Sequence, residues 1–293
     1  MPGDMNHHHS TIFEEKAEIL ANINHEGEQC IMRLYAPKIA KQAKPGQFVH
    51  LRVSDALPLR RPISIMLTHQ EAGTVDLLYK KVGEGTRQLG ERKKGEILPV
   101  LGPIGQGFDV SDTSRRYVLI GGGVGVPPMI FTADVLVGKA DLVLFAGSEA
   151  PFPFALKPST LILPGMTGNT TLTIASLEER GIACRLASNA GLYGCYAGHV
   201  PDLARDYLLA LSDEERGRCV LLSCGPHPML RAVARLGHEL DIPTQLSLEE
   251  YMACGVGGCA GCVVKVLQDG QEKYQRVCVD GPVFDAKVLP EFA

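Results

Sequence analysis

The sequence predicts a multidomain β plus α/β protein: an N-terminal antiparallel β-barrel, a central parallel α/β domain and a small C-terminal cysteine module. Three observations predict it. β-rich runs recur at near-regular spacing through the first hundred residues, strand–turn–helix units follow from about residue 113, and four of the nine cysteines crowd into the last 40 residues. At about 100–200 residues per domain, a length of 293 accommodates two domains and a small module, expected at 11–112, 113–245 and 246–293.

Composition narrows the function classes before any motif is read. Apolar residues make up 45% and charged residues 21%, the balance of a globular chain with material for a core. Lys plus Arg is 29 against Asp plus Glu at 33, with no long run of one sign, which argues against a nucleic-acid-binding surface. The longest uncharged apolar stretch, 118–133, contains four Gly and a Pro-Pro pair. It is shorter than the roughly 20 residues of a membrane span. No cationic segment followed by an apolar run opens the chain, so the protein reads as cytoplasmic. His7, His8 and His9 read as a tail rather than as metal ligands.

In the barrel, strands are expected at 14–24, 29–35, 47–53, 62–67, 74–82 and 96–100, punctuated by Pro45-Gly46, Ala72-Gly73 and Lys94-Gly95. One helical piece, 85–93, interrupts them. Leu59-Arg60-Arg61-Pro62-Ile63-Ser64 places two guanidinium groups just before a strand and a hydroxyl just inside it. Arg suits a phosphate and Ser a hydrogen bond at a ring nitrogen; an exposed basic turn would read the same way. Leu78-Tyr79-Lys80 leads to Gly85-Thr86 at a helix start, whose amides would accept the same pyrophosphate.

The α/β domain is expected to place strands at 117–120, 142–146 and 219–223 and helices at 127–137, 201–211 and 226–240. Its first turn, Gly121-Gly122-Gly123-Val124-Gly125, follows a strand and opens a helix, the position where a Gly-rich turn brings a pyrophosphate against amides. A tight turn without ligand remains the alternative, because Pro127 stands where a strict G-x-G-x-x-G has its last Gly. The second turn, Cys224-Gly225-Pro226, repeats the geometry, and two such turns at one sheet edge favour a nucleotide crevice. After 142–146, Gly147-Ser148-Glu149 carries an acid and no nearby Arg, which favours NAD over NADP.

In the tail, Cys254, Cys259 and Cys262 form C-x4-C-x2-C, and Cys278 follows after fifteen intervening residues. Gly255, Gly257, Gly258 and Gly261 let the backbone wrap closely and point amides at sulfur. This order is the plant-type spacing for a [2Fe–2S] cluster, whereas zinc favours two separated pairs. Structural zinc and unligated thiols are the alternatives. A strand pair over 262–267 and 274–278, turned at Asp269-Gly270, should complete a module too small to cohere on an apolar core. Cys30, Cys184, Cys195 and Cys219 read as small buried side chains.

Taken together these motifs resemble the ferredoxin reductase superfamily. Arg-Arg-Pro-Ile-Ser-Ile, Val-Gly-Glu-Gly-Thr, the 101–108 run Leu-Gly-Pro-Ile-Gly-Gln-Gly-Phe, Cys-Gly-Pro, Met252-Ala253-Cys254-Gly255 and the 278–284 run from Cys278 are similar, more closely, to the electron-transfer subunits of class 1B, NAD-dependent dihydroorotate dehydrogenases. The resemblance implies FAD on Arg61, Pro62, Ile63, Ser64, Leu78, Tyr79, Lys80, Gly85 and Thr86. It implies nucleotide contact at Gly121, Gly122, Gly123 and Gly125, and Cys224 beside the nicotinamide, packing the transfer geometry. The superfamily usually has Tyr where Ile63 stands. It further implies a route in pyrimidine biosynthesis from dihydroorotate, through FMN on a separate catalytic subunit, the [2Fe–2S] cluster and FAD, to NAD+. The assembly expected is a heterotetramer of two catalytic and two transfer subunits. The three modules leave no room for a further barrel of roughly 250 residues, so the partner carries the dihydroorotate chemistry. Apolar Tyr251, Val256 and Ala260 around the cysteine loop are candidates for shielding and docking. A subunit of a related NAD(P)H:ferredoxin or sulfide-linked oxidoreductase is the nearest alternative, and a zinc-stapled nucleotide-binding protein without redox activity is the one from another class.

Overall fold

The computed structural model describes residues 11–166 and 168–292; the three consecutive histidines lie outside them. Six antiparallel strands close the N-terminal barrel: β1 (Phe13–His25), β2 (Gln29–Tyr35), β3 (Phe48–Leu51), β4 (Arg61–His69), β5 (Thr74–Lys80) and β6 (Ile97–Ile104), in the order β1-β2-β5-β4-β3-β6. Every strand read from the sequence is present. Their inward residues, among them Ile19, Met32, Leu34, Leu51, Ile65, Leu77 and Tyr79, form one buried cluster. Closure leaves the barrel without an open edge.

The barrel carries two helices rather than one. Besides α2 (Glu84–Glu91) there is α1 (Pro37–Gln42), six residues opened by proline at its first turn, with Ile39 and Ala40 buried. A helix of under two turns is too short to show a 3.6-residue apolar period, and that is why only α2 is legible beforehand.

From β7 (Arg116–Gly122) the chain alternates with α3 (Val126–Leu136), β8 (Asp141–Gly147), β9 (Leu156–Pro158), β10 (Leu172–Ile174), α4 (Ala175–Glu178) and β11 (Ala183–Ala187). There follow α5 (Val200–Leu209), α6 (Asp213–Gly217), β12 (Cys219–Cys224), α7 (His227–Glu239) and β13 (Thr244–Ser247). Five strands run parallel in the order β11-β8-β7-β12-β13, with the reversal of strand order between β7 and β12. β11 escapes the sequence reading because Arg185 interrupts its apolar run. The structure buries that side chain and pairs its Nη1 with the Ser159 hydroxyl and the Cys184 carbonyl and its Nη2 with the Leu161 carbonyl, leaving Nε without a partner.

Helix α3 is buried nearly all round because it is shared. One side covers the sheet, and the other meets the barrel, so that Met66 and Leu78 join Leu119, Val126, Met129 and Ile130 in a single core. Barrel and sheet therefore pack as one body, and the groove between them has fixed walls.

The tail forms the hairpin β14 (Val263–Gln268) and β15 (Gln271–Arg276), and then β16 (Val283–Asp285) pairs antiparallel with β13. Two expectations are corrected here. The central sheet is mixed rather than wholly parallel, its sixth strand coming from the cysteine tail. That tail is also not a separate module with a core of its own: Cys262, Val266, Val277, Cys278, Leu289 and Phe292 are buried in one cluster with Leu221, Leu230, Val233 and Leu246 of the sheet and α7. Its apolar residues are too few for a core of their own and complete a neighbour's instead.

Candidate functional site

A cavity of about 1060 Å³ lies between the barrel and the cysteine tail. On the barrel side its wall holds Arg61, Pro62, Ile63 and Ser64 of β4, Leu78, Tyr79 and Lys80 of β5, and Gly85 and Thr86 of α2. All nine residues read as flavin contacts thus face one space. Across it stand Ser247, Glu249, Tyr251, Met252, Ala253 and Gly261, with Val124 from the Gly-rich turn.

The barrel wall has the chemistry of an anion site. The Arg61 side chain lies over the start of α2, where a Cβ on Gly85 would come within 2.9 Å of its Cδ and push the arginine aside. Arg61 Nη2 donates to the Leu59 carbonyl at 2.8 Å, while its buried Nε has no protein partner. The Thr86 hydroxyl accepts the Val82 and Gly83 amides at 3.0 and 3.2 Å and fixes the helix start. A guanidinium with an unpaired N–H beside a helix N-terminus is matched by a pyrophosphate. Tyr79 behaves differently from its neighbours: its ring packs in the barrel core and its hydroxyl donates to Asn22 Oδ1 at 3.0 Å. Leu78 packs toward α3, and Lys80 is exposed.

The two glycine turns meet at the reversal of strand order, where ligands of open α/β sheets bind. Gly121 lies opposite Cys224 across the β7–β12 pair. The strand runs on through Gly122, and the turn proper is Gly123–Gly125. A Cβ on Gly125 would sit 2.1 Å from the Cys224 carbonyl oxygen, and one on Gly122 would sit 2.4 Å from Met229 Sδ. Gly121, Gly122 and Gly125 are buried and serve this close approach, whereas Gly123 is exposed with φ +56°. Cys224 is 1% exposed. Burial, and then the Glu249 carboxylate, push its thiol well above the usual range, against a hydrogen bond with Ser247. Such a group packs; it does not exchange protons near neutrality.

The four tail cysteines come near one another around the loop. The Cys259 thiol acts on the Cys254 thiol, and the Cys262 and Cys254 thiols act on Cys278. Gly255 and Gly257 at φ +68° and +79° and Ala260 at +51° curl the loop so that amides point inward, with Val256 N 3.5 Å from Cys254 Sγ and Gly261 N 3.4 Å from Cys259 Sγ. Burial works to raise the Cys254 thiol, but the Val256 and Cys259 amides, the Cys259 thiol and the Gly258 amide outweigh it and bring it down to about 7. Burial and then the adjoining Cys262 push Cys278 up to about 12, against the Gly257 amide. Among the described residues, no three His, Cys, Asp or Glu side chains gather around a single ion position. Four thiols at this spacing, fringed by amides, fit a [2Fe–2S] cluster.

Three residues of the site went unread in the sequence. Glu249 lines the cavity beside Cys224. Arg276 donates to the Gly257 carbonyl at 3.2 Å while paired with Asp280 at 3.1 Å, which ties the cysteine loop to the hairpin. His50 is wholly buried between Arg60 and Cys254; burial, then the Arg60 charge, with Arg61 adding to it, bring its imidazole down to about 4, against the Cys254 and Arg60 backbone. A polar residue inside the run Phe-Val-His-Leu was the signal available for it.

Comparison with known proteins gives the same outline. Residues 249–289 match the iron–sulfur cluster binding domain of dihydroorotate dehydrogenase B. The electron transfer subunit of dihydroorotate dehydrogenase B (NAD(+)) from Geobacillus sp. (strain WCH70) is 38% identical over 246 residues, 83% of this chain and 85% of that protein. Its counterpart from Desulforamulus reducens is 32% identical, covering 86% and 89%. Among solved structures, the NADH-dependent reduced ferredoxin-NADP oxidoreductase superposes with a TM-score of 0.75 at 25% identity, covering 94% of this chain and 89% of that one. Phthalate dioxygenase reductase, at 14% identity and a TM-score of 0.56, covers 90% and 76% and shares the fold.

Proposed function

The chain belongs to the family of electron transfer subunits of dihydroorotate dehydrogenase B (NAD(+)), and from that membership we propose that it carries electrons between an FMN-containing catalytic partner and NAD+. When bound, a [2Fe–2S] cluster handles electrons singly and FAD handles them singly or in pairs, which joins one-electron delivery to hydride transfer. The observation that carries this reading is the shared cavity: one wall is the Arg61–Ser64 strand, and the other includes Ala253 and Gly261, each adjoining a cysteine of the tail.

Within that arrangement each residue has a physical task. Arg61, with the start of α2 at Gly85 and Thr86, holds the FAD pyrophosphate, and Ser64 and the β5 edge at Leu78, Tyr79 and Lys80 orient the ring system. Cys254, Cys259, Cys262 and Cys278 hold the two irons, and the loop amides offset thiolate charge. The turn at Gly121, Gly122, Gly123 and Gly125 receives the nicotinamide nucleotide, with Cys224 packing behind it as an un-ionised thiol. Exposed Tyr251 and Ala260 and half-buried Val256 flank the cysteine loop and offer the partner an apolar rim. Among the described residues no helix is long and apolar enough to cross a membrane; the place of action proposed is the cytoplasm. The divisions 11–112, 113–245 and 246–293 describe flavin, nucleotide and cluster parts, the last contributing a strand to the second.

Anaerobic visible spectroscopy with iron and sulfide analysis, before and after NADH, tests the cofactors. Two irons, a flavin band and bleaching by NADH are expected; zinc without flavin would overturn the reading. The partner is tested by dihydroorotate-dependent NAD+ reduction, expected with the FMN subunit and absent without it. The structural similarity to the reduced ferredoxin-NADP oxidoreductase supports a second reading. Reduced ferredoxin replacing dihydroorotate as electron donor would decide for it.

A further inference from the structure

His50 lies at the centre of β3, a strand whose four residues are all buried, and is itself 0% exposed. Its strand neighbours are Pro62 of β4, beside the flavin-side arginines, and Leu101 of β6. Its ring points across to the cysteine loop. A Cβ on Gly255 would lie 2.7 Å from His50 Nδ1 and 3.3 Å from Cε1, so the imidazole presses directly on the residue after Cys254. The backbone of Cys254 and that of Arg60 both act on the ring.

Neither ring nitrogen has a well-formed hydrogen bond, and both are buried. Leaving a buried imidazole underpartnered costs free energy that Leu or Phe in the same strand would not. The same position between Phe48 and Leu51 would be filled by an apolar side chain if filling were its whole task. What distinguishes the imidazole is a single directed N–H on a rigid ring, held in a closed barrel and aimed at a glycine-rich loop that has few side chains to position it.

We propose that His50 is a positioning residue, whose N–H engages the Cys254 carbonyl and sets the Cys254–Gly255 peptide, and through it the cluster, against the flavin side of the cavity. The inference rests on the flavin and cluster reading above. Groups that orient a metal ligand from outside the coordination sphere typically matter about ten- to a hundredfold in metal affinity or activity.

The test compares the purified holoprotein with His50→Asn and His50→Phe. Asn places an N–H near the Nδ1 position; Phe keeps the ring's shape without it. Iron and flavin content and NADH bleaching of the wild type establish the underlying reading on their own. The variants are then followed by stopped-flow, separating flavin bleaching by NADH from the later cluster reduction, and by the EPR spectrum of the reduced cluster. His50→Phe should bleach its flavin at the wild-type rate, reduce its cluster about ten- to a hundredfold more slowly and show an altered EPR spectrum. His50→Asn should retain the wild-type spectrum and rate. If His50→Phe takes up no cluster, a loaded and wild-type-like His50→Asn carries the same conclusion. Identical behaviour of the two variants, or a near-normal His50→Phe with an impaired His50→Asn, the order a role in filling space predicts from side-chain volume, would overturn it.

Discussion

Gly123 and Gly125 stand two residues apart in one turn and should fail in different ways when given a methyl group. Gly123 has φ +56° with nothing within 4 Å of a built Cβ. Ala there meets only left-handed backbone strain, about 1–2 kcal/mol. Gly125 has φ −86° and ψ −7°, which Ala adopts freely, but its Cβ would sit 2.1 Å from the Cys224 carbonyl oxygen, 2.3 Å from the Cys224 carbon and 2.6 Å from the Gly225 nitrogen. Ordinary contact begins at 3.4 Å, so the two turns must part by roughly 1.3 Å, and both sides of the contact are main chain. Overpacking of this kind costs about 1–3 kcal/mol or more, and a misplacement of about 1 Å at a reacting centre can cost on the order of a hundredfold in rate. Gly125→Ala should therefore lose on the order of a hundredfold in kcat/KM for NADH-dependent dye reduction, with Gly123→Ala reduced in stability but within about tenfold in kcat/KM. Urea unfolding and steady-state kinetics on the FAD-loaded protein measure both. A Gly125→Ala protein with wild-type stability and kcat/KM would refute the claim that the turns are in backbone contact.

Other sites yield shorter tests. Arg61→Ala should weaken FAD about ten- to a hundredfold, the worth of a charge-assisted hydrogen bond, in titrations of flavin-free protein with FAD; unchanged affinity would remove Arg61 from the site. Cys278→Ala should abolish cluster iron while leaving the flavin band and its bleaching by NADH, read from metal analysis and the visible spectrum. Leu221→Ala, at a position 0% exposed beneath the nucleotide turns, should lower the unfolding free energy by about 2–5 kcal/mol in urea. Burial raises the thiols of Cys184 to about 12 and Cys219 to about 11. At pH 8 both remain protonated as well as enclosed, so maleimide should label them only on unfolding, whereas exposed Cys259 in cluster-free protein should label at once.

How far the sequence could be read followed from how local each signal is. The barrel strands, the two glycine turns and the C-x4-C-x2-C loop are written in neighbouring residues, and each was legible. Short α1 and the three-residue β9, β10 and β16 are too brief to carry a period. β11 was hidden by Arg185, whose charge looks solvent-facing until its three oxygen partners are known. At the candidate site, the nine barrel residues named from motif and resemblance line one cavity, yet Tyr79 could not be distinguished from Leu78 or Lys80 until its ring was seen inside the barrel. His50 and Glu249 were missed because their partners lie far along the chain, His50 some two hundred residues from Gly255, and no local pattern announces such a contact.

The pairing of Ser247 with Val283 has a mechanical consequence for the cysteine module. The chain leaves the nucleotide sheet at β13, makes the whole excursion through the cysteine loop and hairpin, and re-enters at the adjoining strand directly opposite its point of departure. Such a segment is moored at both feet to one rigid surface, with Leu289 and Phe292 pinning the chain beyond it. It has no single hinge about which to swing. The separation between the cysteine loop and the barrel wall is then built into strand register rather than left to a travelling carrier domain.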